Sequence, residues 1–266
     1  MHHPIRATAH RKRAPRAPKS SSPAWPSYKG QVQQVGVSPS GRVTVFVDPS
    51  LAAPGLKNAR DLLADADRVV SANDALFGTV GGNVRVIIFA LGGKTDGTGG
   101  ADHSGCDYGT GGDIEICASF GNSARVSALF EAEVSECSMG GNLCGVSTGE
   151  ALSRKCAEEI GKNVLADFAT APTWAQDGAA DFVNLVDPTD QNPDSTGCGM
   201  AFLSWLKSLG YELEKVAPAM VALGQGGTLA QLYGRLTSDA PTTAWPKFKA
   251  AVDGLAAGVT NDDPFG

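Results

Sequence analysis

Glu133 is the residue whose type and position most directly indicate chemistry. It lies in a segment with helical periodicity, residues 124–139, whose apolar residues form one stripe at about 100° per residue. Glu133 falls near the centre of that stripe, whereas Glu131 points away. The stripe consists of Val126, Leu129, Phe130, Val134 and Cys137. A buried carboxylate is costly unless it is paired, protonated or metal-bound, so Glu133 is a candidate for acid–base chemistry. The alternative is that Glu133 is a structural carboxylate, which accepts hydrogen bonds from buried backbone N–H groups or pairs with an arginine such as Arg125 or Arg154.

A second pair of carboxylates, Asp177 and Asp181, repeats this pattern on a predicted helix over residues 174–186. The two aspartates are four residues apart and therefore lie on one side of a helix. Glu136 likewise lies one turn after Glu133, at the edge of its stripe. Carboxylates from two such helices can act as general acid and base around one pocket, or hold calcium or magnesium, for which Glu136 is the candidate ligand. The alternative is that Asp177 favours the helix start and that Asp181 pairs with a base.

His103 is a further candidate catalytic residue, because it lies beside Asp102 and Cys106 in a glycine-rich loop from which it can reach a cleft. The remaining histidines are His2, His3 and His10. A serine or cysteine nucleophile would therefore depend on His103. The chain has no GxSxG, GxxxxGK[ST] or GxGxxG motif in a suitable context. The alternative is an ordinary exposed loop histidine.

The charge distribution separates the N-terminus from the rest of the chain. The net charge of the 266 residues is −6, yet residues 1–30 carry seven basic and no acidic side chains, which leaves 15 positive against 28 negative. An acidic body argues against nucleic acid as the partner. No apolar run is long enough to span a bilayer. The basic stretch is rich in Pro, Ser and Ala, which predicts a disordered tail over residues 1–30.

All six cysteines lie between Cys106 and Cys198, and their even number favours disulfide bonds. Local pairing, Cys106 with Cys117 and Cys137 with Cys144, together with Cys156 and Cys198, is the simplest arrangement, but the other connectivities stay open. Disulfides indicate an oxidising compartment, so we expect a secreted or periplasmic protein. The N-terminus nevertheless lacks the apolar core of a secretory signal.

The first half of the chain predicts a small sheet. The segments RVTVFVD at 42–48 and VRVIIFAL at 84–91 have the β-branched composition of strands, and residues 57–77 between them have helical periodicity. Residues 92–112 are predicted to form a loop, followed by a short strand, DIEIC, at 113–117. These elements make up the sheet half, residues 31–121.

The second half, residues 122–266, predicts helices. After residues 124–139 the predicted helices are 149–168, 174–186, 197–209, 212–223, 229–236 and 242–255. Capping boxes, Ser147 with Glu150 and Thr173 with Gln176, mark the start of two of them. The predicted fold class is α+β, with a small mixed sheet in the N-terminal half and a helical C-terminal half in a single domain over residues 31–266.

The run TWAQDGAADFVNL at 173–185 resembles a segment of the peptidase-like basic secretory proteins of plants and bacteria, a branch of the zincin metallopeptidases. The shared pattern is an acidic residue followed by glycine, then any two residues, then aspartate and an aromatic residue. The run STGCGMAFLSWLKSLGY at 195–211 is similar to the helix that follows in that family. The resemblance implies a zincin-like fold, with residues 113–117 as a short edge strand before the active-site helix.

Zincins carry HExxH on that helix, with two zinc-binding histidines and a glutamate that activates water. This chain has AExxE at 132–136, so the resemblance places Glu133 as the general base, while Ala132 and Glu136 replace the histidines. We therefore expect no His-bound zinc. The sequence favours a secreted peptidase-like hydrolase that acts on a peptide or glycan through buried carboxylates. The alternatives are a catalytically inactive zincin-like binding module and a disulfide-stabilised structural protein.

Overall fold

A computed structural model describes residues 22–266 and contains a five-stranded mixed sheet. The strands are β1 (Gln33–Val37), β2 (Val43–Val47), β3 (Val84–Phe89), β4 (Ala101–His103) and β5 (Asp113–Cys117). Their order across the sheet is β1-β2-β3-β5-β4. Strands β2, β3 and β5 are parallel, and the outer strands β1 and β4 are antiparallel to their neighbours. The sheet therefore has a parallel centre and two antiparallel edges.

The helices cover one face of the sheet and build the second half of the chain. They are α1 (Ala52–Phe77), α2 (Ser123–Ser138), α3 (Ser147–Gly161), α4 (Ala171–Gln176), α5 (Pro193–Ser208), α6 (Leu213–Val221), α7 (Leu229–Thr237) and α8 (Ala244–Asp253). A 3-10 helix, Lys162–Phe168, follows α3 directly. The α+β fold class is confirmed. One core cluster packs α1 and α2 on the sheet, and another unites α3 to α8.

The opposite face of the sheet is covered by the segment before β1. Alternation along β5 turns Ile114 and Ile116 towards the helices and Glu115 towards this segment. The buried Glu115 carboxylate accepts hydrogen bonds from the backbone of Ser27 and Tyr28, at 2.9 and 2.5 Å. The disordered-tail prediction therefore does not hold for residues 24–28, and its part over residues 1–21 lies outside the described residues.

Two predictions about the sheet need correction. Strand β5 was expected at the edge, but it pairs with β3 on one side and β4 on the other, and all five of its residues are buried. Strand β4 forms the edge instead, and it lies in the stretch predicted as a loop. Its three residues, Ala101 to His103, are too few to show alternation in a sequence surrounded by glycines.

Helix α4 ends far earlier than predicted. It stops at Gln176 because Gly178, with a φ of 99°, and Ala179, with a φ of 49°, take left-handed conformations that end the helix. The indole of Trp174 donates to the carbonyl of Ala180 at 2.8 Å and fixes the turn.

Both predicted capping boxes were wrong. The capping box observed among the described helices joins Thr228 and Gln231 at the start of α7.

Helix α2 is enclosed on several sides, since it packs against α1, α3 and the sheet. Its residue Glu131, predicted to point away from the apolar stripe, is fully buried, and neither carboxyl oxygen has a hydrogen-bond partner in the part of the chain that the structure describes. A helical projection identifies one apolar face, but helices α1 and α3 cover the remainder of this helix. Burial raises the pKa of Glu131 well above its ordinary value of 4.5.

The cysteine pairing also differs from the simplest arrangement. Cys106, after β4, forms a disulfide with Cys144, between α2 and α3, whereas the four other cysteines are free and buried. The bond closes a loop with a sequence separation of 38 and joins the edge strand to the turn after α2. By chain entropy such a cross-link stabilises the fold by about 4 kcal/mol.

Among residues 22–266, none of the helices combines the length and apolar character required to cross a bilayer.

We predict that the stability of the protein falls as the pH rises above 4.5 and that Glu131→Gln removes part of this slope. The folded chain retains the Glu131 proton that the unfolded chain releases, so each pH unit up to the raised pKa costs about 1.4 kcal/mol. Urea unfolding at a series of pH values measures the effect. Glu214→Gln, at an exposed position in α6, is the control and should keep the wild-type slope. Parallel slopes for wild type and Glu131→Gln would contradict the assignment.

Candidate functional site

The edge strand β4 and helix α2 bring the candidate residues together. Strand β4 pairs with β5, and α2 follows β5 and packs back against β4. The C-terminal residue of β4, His103, therefore faces the C-terminal half of α2. On α2, Leu129, Ala132, Glu133 and Glu136 have the spacing of one helical side, and all four line the same cavity.

His103 contacts both glutamates. Its Nε2 lies 2.7 Å from Oε2 of Glu136, a hydrogen bond, and 3.8 Å from Oε2 of Glu133. The Glu133 side chain is only 10% exposed, and its carboxyl forms no hydrogen bond with any described residue. Glu136 is fixed by His103 through Oε2, whereas no described residue hydrogen-bonds to its Oε1. The site thus contains one paired and one unpaired glutamate on successive turns.

The surroundings of Glu133 and His103 shift the pKa values of both side chains. Burial raises the pKa of Glu133 well above its ordinary value, and the nearby charges of Glu136, Glu150 and Asp102 raise it further. Burial lowers the pKa of His103, but the hydrogen bond and charge of Glu136 outweigh burial, so the net shift is upward. The arrangement favours a protonated Glu133 beside the hydrogen-bonded pair of His103 and Glu136.

These three residues line a cavity of about 580 Å³ between the sheet and the helical half. Its walls come from β4 and the loop after it, from α2 and α3, from the 3-10 helix Lys162–Phe168, and from two loops around residues 190 and 262. The disulfide cysteines Cys106 and Cys144 also line it. A cavity of this size accommodates a small ligand or a few residues of a chain.

Asp177 and Asp181 lie outside this cavity. Asp177 is an exposed residue at the end of α4, and its carboxyl has no hydrogen bond with the described residues. Asp181 accepts hydrogen bonds from the backbone of Val183 and Asn184, at 2.9 and 3.1 Å, and from the Asn184 amide. The structure therefore brings Glu133, Glu136 and His103 together and leaves the two aspartates in a separate turn, because the predicted helix that carried them is not formed.

Other carboxyl groups of the cavity were not singled out as site residues from the sequence. Glu150, predicted only as part of a capping box, lies on α3 and accepts a hydrogen bond from Arg154 at 2.6 Å. Burial raises its pKa, and also that of Asp102, the neighbour of His103. The nearest sequence signal is that Glu150 and Arg154 are four residues apart, a spacing that also occurs in ordinary surface ion pairs.

The central three side chains can hold a divalent cation. One ligand atom each from His103, Glu133 and Glu136 lies within 4.8 Å of the other two. One nitrogen with two carboxylate oxygens suits zinc or manganese better than calcium. The unpaired, buried carboxyl of Glu133 fits such a role. A cation would have to displace the proton of Glu133 and break the bond between His103 and Glu136.

Comparisons with known proteins give little further information. No family profile and no curated protein matches the sequence. Among solved structures, yeast LTA4 hydrolase in complex with bestatin is similar at a TM-score of 0.41 and 11% sequence identity. The match covers 85% of this chain and 38% of that protein, so the chain spans well under half of its length. We draw no functional argument from a likeness at this level.

We predict that Asp181→Ala destabilises the protein and that Asp177→Ala does not. The first change removes the acceptor for two backbone amides and should cost about 1–2 kcal/mol, whereas the second should stay within about 0.5 kcal/mol. The two residues are four positions apart in the same turn region, so each is the control for the other in urea unfolding. Equal stability of the two variants would contradict a structural role for Asp181.

Proposed function

We propose that the cavity is the active centre of a hydrolase in which Glu133 is the general acid. The observation that carries this proposal is the buried Glu133 carboxyl, which faces the cavity 3.8 Å from His103 and has no hydrogen-bond partner among the described residues. A structural carboxyl would be expected to bond to backbone donors, as Glu115 does. Its neighbour Glu136 is held by its hydrogen bond with His103.

The two glutamates divide the proton transfers of hydrolysis between them. Glu136 accepts a proton from the attacking water through its free Oε1, while His103 holds Oε2 and orients the carboxylate. The water oxygen bonds to the electrophilic carbon of the substrate. Glu133 donates its proton to the leaving nitrogen or oxygen as that bond breaks. The proton on Glu136 then returns to Glu133, and one water has been divided between the two products.

The bond that is cleaved is a peptide bond in this proposal. The resemblance of the sequence to zincin peptidases supports it, as does a cavity able to hold a few residues of an extended chain. A disulfide between Cys106 and Cys144 at the cavity wall supports action in an oxidising, extracytoplasmic compartment. A glycosidic bond is the other substrate consistent with paired carboxyl groups.

A second candidate function is a catalytically inactive zincin-like module that binds a cation. The observation that favours it is the close approach of three ligand atoms, within 4.8 Å, from His103, Glu133 and Glu136. The absence of the HExxH motif also favours this candidate, because the zincin mechanism depends on it. Purified protein that contains one equivalent of a divalent metal and cleaves no peptide would favour this function over the hydrolase.

We predict that Glu133→Gln lowers peptide hydrolysis by about 10²–10⁴-fold, because the amide cannot donate the proton that the leaving group needs. Cleavage of a mixed peptide library, followed by mass spectrometry, measures the loss. Stability should not fall, since glutamine matches the size of a protonated glutamate and removes the cost of keeping the Glu133 proton at neutral pH.

Glu131→Gln is the matched control for this prediction. It replaces another buried carboxyl on α2 that does not line the cavity, so turnover should remain at the wild-type level. Unaltered turnover in Glu133→Gln, or an equal loss in both variants, would contradict the role of Glu133.

A further inference from the structure

The disulfide between Cys106 and Cys144 lies in the wall of the candidate site. Both cysteines line the main cavity, and both also line a second cavity of about 10 Å³, which has room for a single water molecule. The second cavity extends to Met139 and Leu143, in the turn after α2. The disulfide therefore forms part of the wall between the two cavities.

The same disulfide joins the two segments that carry the hydrogen-bonded pair of the site. Cys106 follows His103 by three positions, and Cys144 follows Glu136 by eight positions, in the turn between α2 and α3. Strand β4 pairs with β5 through three residues, so the sheet holds His103 over a short length. The covalent bond close to His103 therefore contributes to holding its ring against Glu136.

Other contacts hold the loop after β4 independently of the disulfide. The hydroxyl groups of Tyr108 and Ser138 share a hydrogen bond at 2.7 Å, and the Cys137 thiol donates to the carbonyl of Gly111 at 3.4 Å. Both contacts join the loop to the last turn of α2, and both lie beyond the disulfide along the chain. Loss of the disulfide therefore frees residues 103–107 more than the remainder of the loop.

The disulfide is open to a reductant, whereas the free thiols are enclosed. Cys106 and Cys144 are half-buried, and the four other cysteines are buried. Thiol–disulfide exchange requires access of a thiolate to the sulfur, so exposed disulfides are reduced more readily than enclosed ones. A small dithiol can therefore reach this bond in the folded protein.

We propose that the disulfide is a redox switch of the candidate site: the bond holds His103 against Glu136, and reduction by a dithiol releases this contact and inactivates the site. This inference deepens the proposed function, on which its catalytic part rests, by naming how the same site is regulated. The site is then competent in an oxidising compartment and inactive in a reducing one.

The reduction is an exchange of one disulfide for another. One thiolate of the dithiol attacks a cysteine sulfur, so the protein S–S bond breaks and a mixed disulfide forms. The second thiolate of the dithiol attacks its own sulfur in the mixed disulfide and displaces the protein sulfur. Two electrons and two protons pass to Cys106 and Cys144, which become thiols, and the dithiol becomes a cyclic disulfide.

The first test identifies the thiols that react after reduction of the folded full chain. Dithiothreitol followed by iodoacetamide, with the alkylated residues read by mass spectrometry, should label Cys106 and Cys144 and leave the four buried cysteines unlabelled. An unlabelled pair would overturn the inference, because the bond would be out of reach of the reductant. Labels on the buried cysteines as well would also overturn it, because reduction would then unfold the protein.

Hydrogen–deuterium exchange then follows the segment around His103. In the reduced and alkylated protein, the amides of residues 103–107 should exchange at least about tenfold faster than in the disulfide form, whereas those of α5 should keep their rates. The variant Cys106→Ser with Cys144→Ser should show the same increase, and dithiothreitol should not change it further. Unchanged exchange at residues 103–107 would overturn the role of the bond in ordering the site.

Peptide cleavage separates this inference from the proposed function. Cleavage of the mixed peptide library should fall at least about tenfold on reduction and return when oxidised glutathione restores the bond. Cys198→Ala, which removes a buried thiol outside the cavity, is the control and should respond to the reductant as the wild type does. Cleavage that reduction leaves unchanged would overturn the switch and leave the hydrolase intact. No cleavage by either form, together with faster exchange on reduction, would overturn the hydrolase and leave the redox-dependent opening intact.

Discussion

The hydrogen bond between His103 and Glu136 is the interaction on which the rest of the site depends. It joins the last residue of the edge strand to the last turn of α2 across 2.7 Å. Because the hydrogen bond of His103 goes to Glu136, the second glutamate on the same side of the helix has no hydrogen-bonded basic partner within residues 22–266. Glu133 is therefore buried, lies next to the negative charge of Glu136 and has no hydrogen bond to any described residue, and these are the conditions that keep a proton on a carboxyl group.

The fold supports this contact from both sides. Strand β4 is held by pairing with β5 and by the disulfide from Cys106 to Cys144, while α2 is held between the sheet and α3. The burial of α2 has an energetic cost, since the Glu131 carboxyl is also enclosed without a hydrogen-bond partner from residues 22–266. The apolar contacts of this helix with the core thus outweigh two unpaired carboxyl groups, and only Glu133 of the two opens into a cavity.

The sequence predicted much of this arrangement because helical spacing is a strong signal. The segment around Glu133 is long and regular, so its helix and the closeness of Glu136 could be derived from periodicity alone. The α+β class followed from strands that are rich in β-branched residues. The placement of His103 could not be derived, since a three-residue strand among glycines has no period and its partner is set by the sheet order.

The prediction that placed Asp177 and Asp181 on a helix was wrong for a local reason. The run from Trp174 to Asp181 has the period of a helix, but Gly178 and Ala179 adopt positive φ values that no periodicity argument includes. Glu131 was misjudged for a different reason, because a helical projection assumes one buried face and α2 has more than one. The cysteine pairing depends on which loops meet in space, so spacing along the chain cannot choose it.

The most direct test of this account is the infrared spectrum of the folded protein at neutral pH, taken as a difference between wild type and Glu133→Gln. A protonated carboxyl absorbs at a carbonyl frequency distinct from that of a carboxylate, and it shifts on exchange into heavy water. We predict a protonated-carboxyl band in wild type that is lost in the variant. A difference spectrum with carboxylate bands alone would contradict the account, because Glu133 would then be charged at neutral pH and could not be the acid.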